Sequence, residues 1–115
     1  MVIKKEDRVN LQRPNLRGGE GTLLMGNALL EADLPSSFKL VAEFTIDPGC
    51  SIGKHDHTGN TELYFITDGE FTVYDNDEKV IMRTGDMMFT GNGGTHSIKN
   101  EGTKPCKVLG VIVND

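Results

Sequence analysis

The chain has 115 residues, and 12 lysines and arginines against 17 aspartates and glutamates give it a formal net charge of −5. This acidic balance argues against a nucleic-acid partner, because affinity for a phosphate backbone comes from clustered cationic side chains. No apolar run approaches the ~20 residues of a membrane-spanning helix, and the charged N-terminus lacks the apolar core of a signal peptide. We therefore expect a cytoplasmic location, no membrane partner and a single domain.

The first part of the chain, residues 1–21, is charged and ends in glycines. It is predicted to form an N-terminal arm, or to add a short edge strand near Val9 to Leu11. Residues 22–115 are predicted to form the folded domain. The apolar run 22–30 is typical of a strand interrupted at Gly26, although a run this short also fits a helix.

Residues 38–46 form the clearest predicted strand, because apolar residues alternate with other residues over nine positions. Further short strands are predicted between Gly, Asn and Asp turns, at residues 62–67, 71–74, 79–82, 86–90, 96–99 and 107–113. No segment shows the pattern of an α-helix. Strands at this spacing, with turn signals between them, predict an all-β sandwich or barrel.

All three histidines of the chain fall within two glycine-bounded segments, residues 49–69 and 85–100. His55 and His57 lie two apart, so in an extended segment both side chains leave on the same face. His96 belongs to the second segment and must come from a separate strand. A lone histidine is more often a surface or hydrogen-bonded core residue, but the concentration of all three favours a shared site.

Glu62 adds a carboxylate to this group. An odd spacing from His55 would put it on the opposite face of a continuous strand, but the turn at residues 58–61 lets the chain double back. Glu62 also opens an apolar run, where an inward-pointing charge is costly unless it is paired or bound to a metal. Imidazole and carboxylate ligands suit divalent transition metals, so we predict that His55, His57, Glu62 and His96 hold one such ion.

These residues and their spacings resemble the paired motifs of the cupin superfamily. The first motif, G-x5-H-x-H-x4-E-x6-G, is met in full from Gly49 to Gly69. The second, G-x5-P-x-G-x2-H-x3-N, is met from Gly85 to Asn100 except at Gly91, where the family has proline. The loss of a fixed φ is expected to loosen the loop before His96 without removing a ligand. The short segment between the motifs is similar to that of small single-domain bacterial cupins.

The resemblance implies a jelly-roll-like barrel, a double-stranded β-helix, with the metal near one mouth and His55, His57, Glu62 and His96 as its ligands. An octahedral ion with these ligands would leave two adjacent positions for water or a bidentate substrate. Mn, Fe, Co, Ni and Zn all suit such a site. The resemblance also implies a homodimer, formed by outer-face strand packing or by exchange of the N-terminal arm.

Strand parity adds candidates for the substrate pocket. Tyr64 and Ile66 should share the face of Glu62, and Ile98 should share the face of His96. Packing inside the barrel is the simpler role for Tyr64, and a hydrogen bond to a bound ligand is the functional one.

The resemblance leaves several functions open. We favour a small metalloenzyme acting on a carboxylate or diol metabolite, as a dioxygenase, isomerase or decarboxylase. A binding or sensing module for a small anionic metabolite is the alternative, and a storage-type or structural barrel ranks third. Catalytic residues stay unassigned, because no motif places Glu31, Glu43 or Glu70 at the mouth. The sugar-nucleotide epimerase branch relies on a histidine base, and the chain has no fourth histidine.

Overall fold

A computed structural model describes all 115 residues as two antiparallel β-sheets around a shared apolar core. The strands are β1 (Val9–Pro14), β2 (Thr22–Asn27), β3 (Phe38–Ile46), β4 (Ser51–Asp56), β5 (Asn60–Asp68), β6 (Glu70–Asp75), β7 (Glu78–Arg83), β8 (Met87–Thr90), β9 (Thr95–Lys99) and β10 (Cys106–Asn114). The larger sheet has the order β1-β2-β3-β10-β5-β8, and the smaller has the order β4-β9-β6-β7. The predicted all-β class is therefore confirmed.

Helical structure is limited to three short 3-10 helices, Lys5–Asp7, Leu16–Gly18 and Glu31–Asp33. None of them has the length or apolar character needed to cross a membrane.

The period-two pattern of β3 places one set of its side chains in the core. Ala42, Phe44 and Ile46 are buried, whereas the residues between them are half-buried on the outer face. β5 and β10 alternate in the same way, and β10 lies between β3 and β5 in the sheet. The inner faces of these three central strands form one wall of the sandwich, because successive residues of a strand point to opposite faces.

Two predicted segments differ from the observed strands. β2 ends at Asn27 and not at residue 30. It is not interrupted at Gly26, because Gly26 pairs with Asn10 of β1 on one side and with Glu43 of β3 on the other. The segment before His57 was predicted only as extended, and it forms β4. The pairing of β4 with β9 is irregular between Ile52 and His55, which obscures the strand in the sequence pattern.

The N-terminal residues lie against both sheets. β1 pairs with β2 at the edge of the larger sheet, and the 3-10 helix Leu16–Gly18 contacts β4 of the smaller one. A Cβ atom on Gly53 would collide with the carbonyl oxygen of Arg17, so only glycine allows this approach. The division of the chain at residue 21 stays a prediction.

Candidate metal centre

The four predicted ligands come from both sheets. His55 in β4 lies directly opposite His96 in the neighbouring strand β9. Glu62 belongs to β5 in the other sheet, and the turn after β4 carries the chain across the sandwich to it. His57 lies just beyond β4, where its backbone N–H donates to the carbonyl oxygen of Gly94. The space between the sheets is therefore where these side chains meet.

The ligand atoms form a compact cluster. The Nε2 atom of His96 lies 3.0 Å from the Nε2 atoms of both His55 and His57. Oε1 of Glu62 lies 3.0 Å from Nε2 of His57 and of His96, and 4.0 Å from Nε2 of His55. All four ligand atoms lie within 4.8 Å of one another, so the group could hold a metal ion.

Hydrogen bonds on the far side of the rings orient the imidazoles. Nδ1 of His55 lies 2.7 Å from the carbonyl oxygen of Gly53, and Nδ1 of His57 lies 2.6 Å from the side-chain oxygen of Asn60. Both oxygens only accept, so Nδ1 donates in each ring, and Nε2 carries the lone pair when the ring is neutral. These lone pairs and the Glu62 carboxylate converge on one point, where they repel one another unless a metal ion or protons on Nε2 lie among them.

The distances provide a test of fit. Two ligand atoms at about 2.1 Å from one ion lie about 3.0 Å apart at a right angle, about 3.4 Å apart at a tetrahedral angle and about 4.2 Å apart when opposite. Four of the separations between ligand atoms are 3.0 Å, a distance that suits neighbouring ligands of one ion. His55, His57, Glu62 and His96 would therefore hold a single divalent ion.

The protonation states follow from burial and mutual contact. Burial alone would raise the pKa of the Glu62 carboxyl, but hydrogen bonds from the three histidines outweigh it and hold that pKa well below its usual value. Burial lowers the pKa of His96, which favours the neutral ring that binds metals. The hydrogen bond to Glu62 raises the pKa of His57, so a proton competes with a metal ion for its Nε2.

A cavity of about 410 Å³ opens beside this cluster. Its polar and charged lining residues are Arg13, Arg17, Glu31, Lys39, His55, His57, Glu62 and Tyr64. Its apolar lining residues are Leu16, Met25, Leu40, Phe44, Ile52 and Ile112. This volume lies within the range of about 300–1,000 Å³ that is usual for small-molecule sites. Its wall combines apolar side chains with several charged ones.

Among the predicted pocket residues, Tyr64 lines the cavity. Its ring stacks on that of His96, with centroids 4.6 Å apart and planes 4° from parallel. Burial raises the pKa of its hydroxyl well above the usual value, so the group stays protonated. Ile66 and Ile98 are buried in the core and do not line the cavity. A role in the pocket stays a prediction for all three.

Sequence reasoning missed three cationic residues of the cavity wall, Arg13, Arg17 and Lys39, and left a fourth wall residue, Glu31, unassigned. None belongs to a motif, and no local pattern marks them. Two glutamates considered with Glu31 lie elsewhere. Glu43 pairs with Arg8, and Glu70 pairs with Arg83 on the surface.

Comparison with known proteins agrees with this geometry. The family model of the cupin domain matches residues 42–112. This chain is a cupin. It is 34% identical over 113 residues to an oxalate-binding protein of Thermotoga maritima. The aligned region covers 98% of this chain and 93% of the relative.

Solved cupin structures show the same fold. The structure of a predicted oxalate decarboxylase from Thermotoga maritima superimposes with a TM-score of 0.93 and 34% identity, and the match covers all of both chains. KdgF from a Halomonas species superimposes with a TM-score of 0.70 over 81% of each chain, at 14% identity. This second likeness concerns the fold alone.

Proposed function

We propose that this cupin binds oxalate, or a similarly small dicarboxylate, through a divalent metal ion held by His55, His57, Glu62 and His96. The observation that carries the proposal is the convergence of these four ligand atoms on one point beside an open cavity. The name of the 34% identical oxalate-binding relative supports the choice of ligand. When bound, the ion would act as a Lewis acid for a carboxylate, and Mn, Fe, Co, Ni and Zn all suit the donor set.

The charges of the site suit an anion. Glu62 is the one anionic group in the cluster, so it neutralises half of the charge of a divalent ion and leaves the centre net positive. The protonated hydroxyl of Tyr64 can donate a hydrogen bond to a bound carboxylate, because phenol groups with a raised pKa stay donors at neutral pH.

The test compares wild type with Glu62→Gln, and Glu70→Gln on the surface serves as the matched control. We expect about one metal ion per chain in wild type and control, and at least about tenfold weaker metal binding in Glu62→Gln, because even an outer partner of a metal ligand contributes that much. Elemental analysis gives the metal content, and calorimetry of the metal-loaded protein gives oxalate affinity. Oxalate binding that persists after the metal is removed would refute the proposal.

Decarboxylation is a second candidate function. Breaking the C–C bond of oxalate releases CO2, and the carbon that keeps its carboxylate must take up one proton to become formate. Glu31 is the carboxyl group of the cavity that lies outside the ligand cluster, and its exposure allows a proton to be replaced from solvent. The structurally similar predicted oxalate decarboxylase supports this candidate.

Measuring formate and CO2 from metal-loaded protein separates the two functions. If the chain is a decarboxylase, Glu31→Gln should abolish formate release and keep oxalate binding. If wild type binds oxalate and releases no formate, the binding function alone applies.

We also propose that the chain forms a homodimer through the outer face of the larger sheet. Two cross-strand rows of apolar side chains cross that face, Phe89-Leu63-Val111 and Met87-Phe65-Leu109. Met87 is 62% exposed and Phe89 is 71% exposed. A contiguous apolar patch of this kind marks an interaction surface, and a second copy is the partner that the family resemblance implies.

A further inference from the structure

The cavity beside the metal cluster carries more cationic than anionic side chains, although the net charge of the chain is −5. Three of its lining residues, Arg13, Arg17 and Lys39, are cations, and two, Glu31 and Glu62, are carboxylates. The ion pairs between basic and acidic side chains elsewhere in the chain use Arg8, Lys54, Arg83 and Lys99 as their cations. The two arginines of the cavity are therefore free to bind an anion.

Arg17 is held at the cavity by its backbone. Its φ of 54° and ψ of 32° lie in the left-handed region, which costs free energy for a residue other than glycine. The turn around it contacts β4 closely, because a Cβ atom on Gly19 or on Gly53 would collide with the backbone opposite. This close packing fixes where the Arg17 side chain leaves the chain.

Arg17 and the metal cluster share one cavity. Its wall includes Arg17 together with His55, His57 and Glu62. An anion bound at the cluster would therefore lie within the field of this guanidinium.

Arg13 approaches from the neighbouring edge strand. It lies in β1, opposite Leu23 of β2, and its guanidinium contacts the sulfur of Met25 at 3.6 Å. A thioether is a weak acceptor, so this contact leaves most of the donors of Arg13 available.

We propose that Arg17, assisted by Arg13, selects dianionic ligands by binding the carboxylate oxygens that face away from the metal. The proposal rests on the proposed function, because it assigns a role toward the same ligand. A guanidinium presents parallel N–H donors that match the geometry of a carboxylate, and charge-assisted pairs of this kind are strong. A monocarboxylate held by the metal has no second carboxylate for these donors. The N-terminal arm thus determines specificity, although the metal ligands all come from other strands.

The experiment measures oxalate and acetate binding to metal-loaded wild type, Arg17→Gln and Arg17→Gly by calorimetry. Arg83→Gln is the control, since it makes the same charge change outside the cavity. Arg17→Gly removes the guanidinium and relieves the left-handed strain, so it should fold at least as stably as wild type. We expect both Arg17 variants to keep about one metal ion per chain and to lose about tenfold to a hundredfold in oxalate affinity. Acetate affinity should change less than about threefold, because acetate has no second carboxylate.

The outcomes separate this proposal from the proposed function. Wild-type oxalate affinity in Arg17→Gly, with full metal content, would overturn the role of Arg17 and leave the metal-dependent function intact. An equal loss of oxalate and acetate affinity would overturn the selection of dianions. Metal-loaded wild type that binds neither anion would refute the proposed function itself. Arg13→Gln should reduce oxalate affinity by a smaller factor than Arg17→Gln.

Discussion

At the residue scale, the buried polar side chains include one group in the metal cluster and another that supports the backbone. Asn100, the last residue of the second motif, belongs to the second group and is completely buried. Its Nδ2 donates to the carbonyl oxygens of Ile46 and Lys104 at 2.8 Å and 2.7 Å, and its Oδ1 accepts from the backbone N–H of Gly102 at 2.9 Å. Asn100 therefore connects the end of β3 to the loop before β10.

Asn100→Ala should lower the free energy of unfolding by about 2–4 kcal/mol, because three backbone groups lose their partner inside the protein. Metal content should stay unchanged, since Asn100 does not belong to the ligand cluster. Urea unfolding at saturating metal measures the loss, with Ser97→Ala on β9 as a control. A variant as stable as wild type would show that water replaces these hydrogen bonds.

Gly91 is the position where the second motif departs from the family, and the structure explains the departure. A Cβ atom at Gly91 would lie 2.5 Å from Oγ1 of Thr61 and 3.1 Å from its Cβ and Cγ2. A proline ring there would collide with the Thr61 side chain unless the loop moved. Glycine at position 91 therefore fits beside Thr61, whereas proline there would require Thr61 or the loop to move.

At the element scale, Glu43 joins three segments on the outer face of the larger sheet. Its carboxylate in β3 accepts hydrogen bonds from Arg8, before β1, at 3.1 Å and from Thr67 of β5 at 2.8 Å. Burial raises the pKa of Glu43, but these hydrogen bonds and the charge of Arg8 outweigh it, and the pKa lies below its ordinary value of 4.5. This network holds the N-terminal segment on the sheet.

The network predicts a pH-dependent stability. Because the pKa of Glu43 is lower in the folded than in the unfolded state, the contribution is fully present above about pH 4.5 and is lost as the pH falls through the folded value. Glu43→Gln should lower the free energy of unfolding by about 1 kcal/mol at pH 7, and the difference should shrink toward pH 3. Urea unfolding of both proteins at the two pH values measures it. If the difference in the free energy of unfolding between the two proteins grew toward pH 3, the predicted direction of the pH dependence would be wrong.

At the scale of the whole molecule, the two faces of the larger sheet have different roles. The inner face packs in the core and contributes Glu62, whereas the outer face carries the apolar rows proposed as a dimer interface. The N-terminal arm pairs with β2 through β1, and exchange of this arm between two chains is the alternative mode of dimerisation.

Phe89→Asp should therefore convert a dimer into a monomer, because the charge would be buried within the proposed interface. Tyr74→Asp, at an exposed position of the smaller sheet, should leave the dimer intact. Light scattering gives the mass in solution. If Phe89→Asp stays dimeric while deletion of residues 1–12 gives monomers, the dimer forms by exchange of the N-terminal arm.

Much of the fold and of the ligand cluster could be predicted from the sequence, since both depend on short-range patterns. The alternation in β3 identified a strand with one buried face, and the spacing of His55, His57 and Glu62 identified side chains that a single turn brings together. β4 was missed as a strand, because its irregular pairing breaks the pattern. Side-chain direction along an extended segment depends only on local geometry, so a single sequence suffices to predict it.

The sequence by itself thus determined the all-β class, the cupin motifs and the candidate metal cluster. Only the tertiary structure decided that Arg13, Arg17 and Glu31 line the same cavity, and that Glu43 lies on the outer face of the larger sheet. The physical reason is that a cavity wall is formed by segments far apart in the chain. Whether these segments meet depends on the strand order, on the register and on close contacts such as that of Gly53 with the N-terminal arm. No local periodicity of the sequence encodes these features.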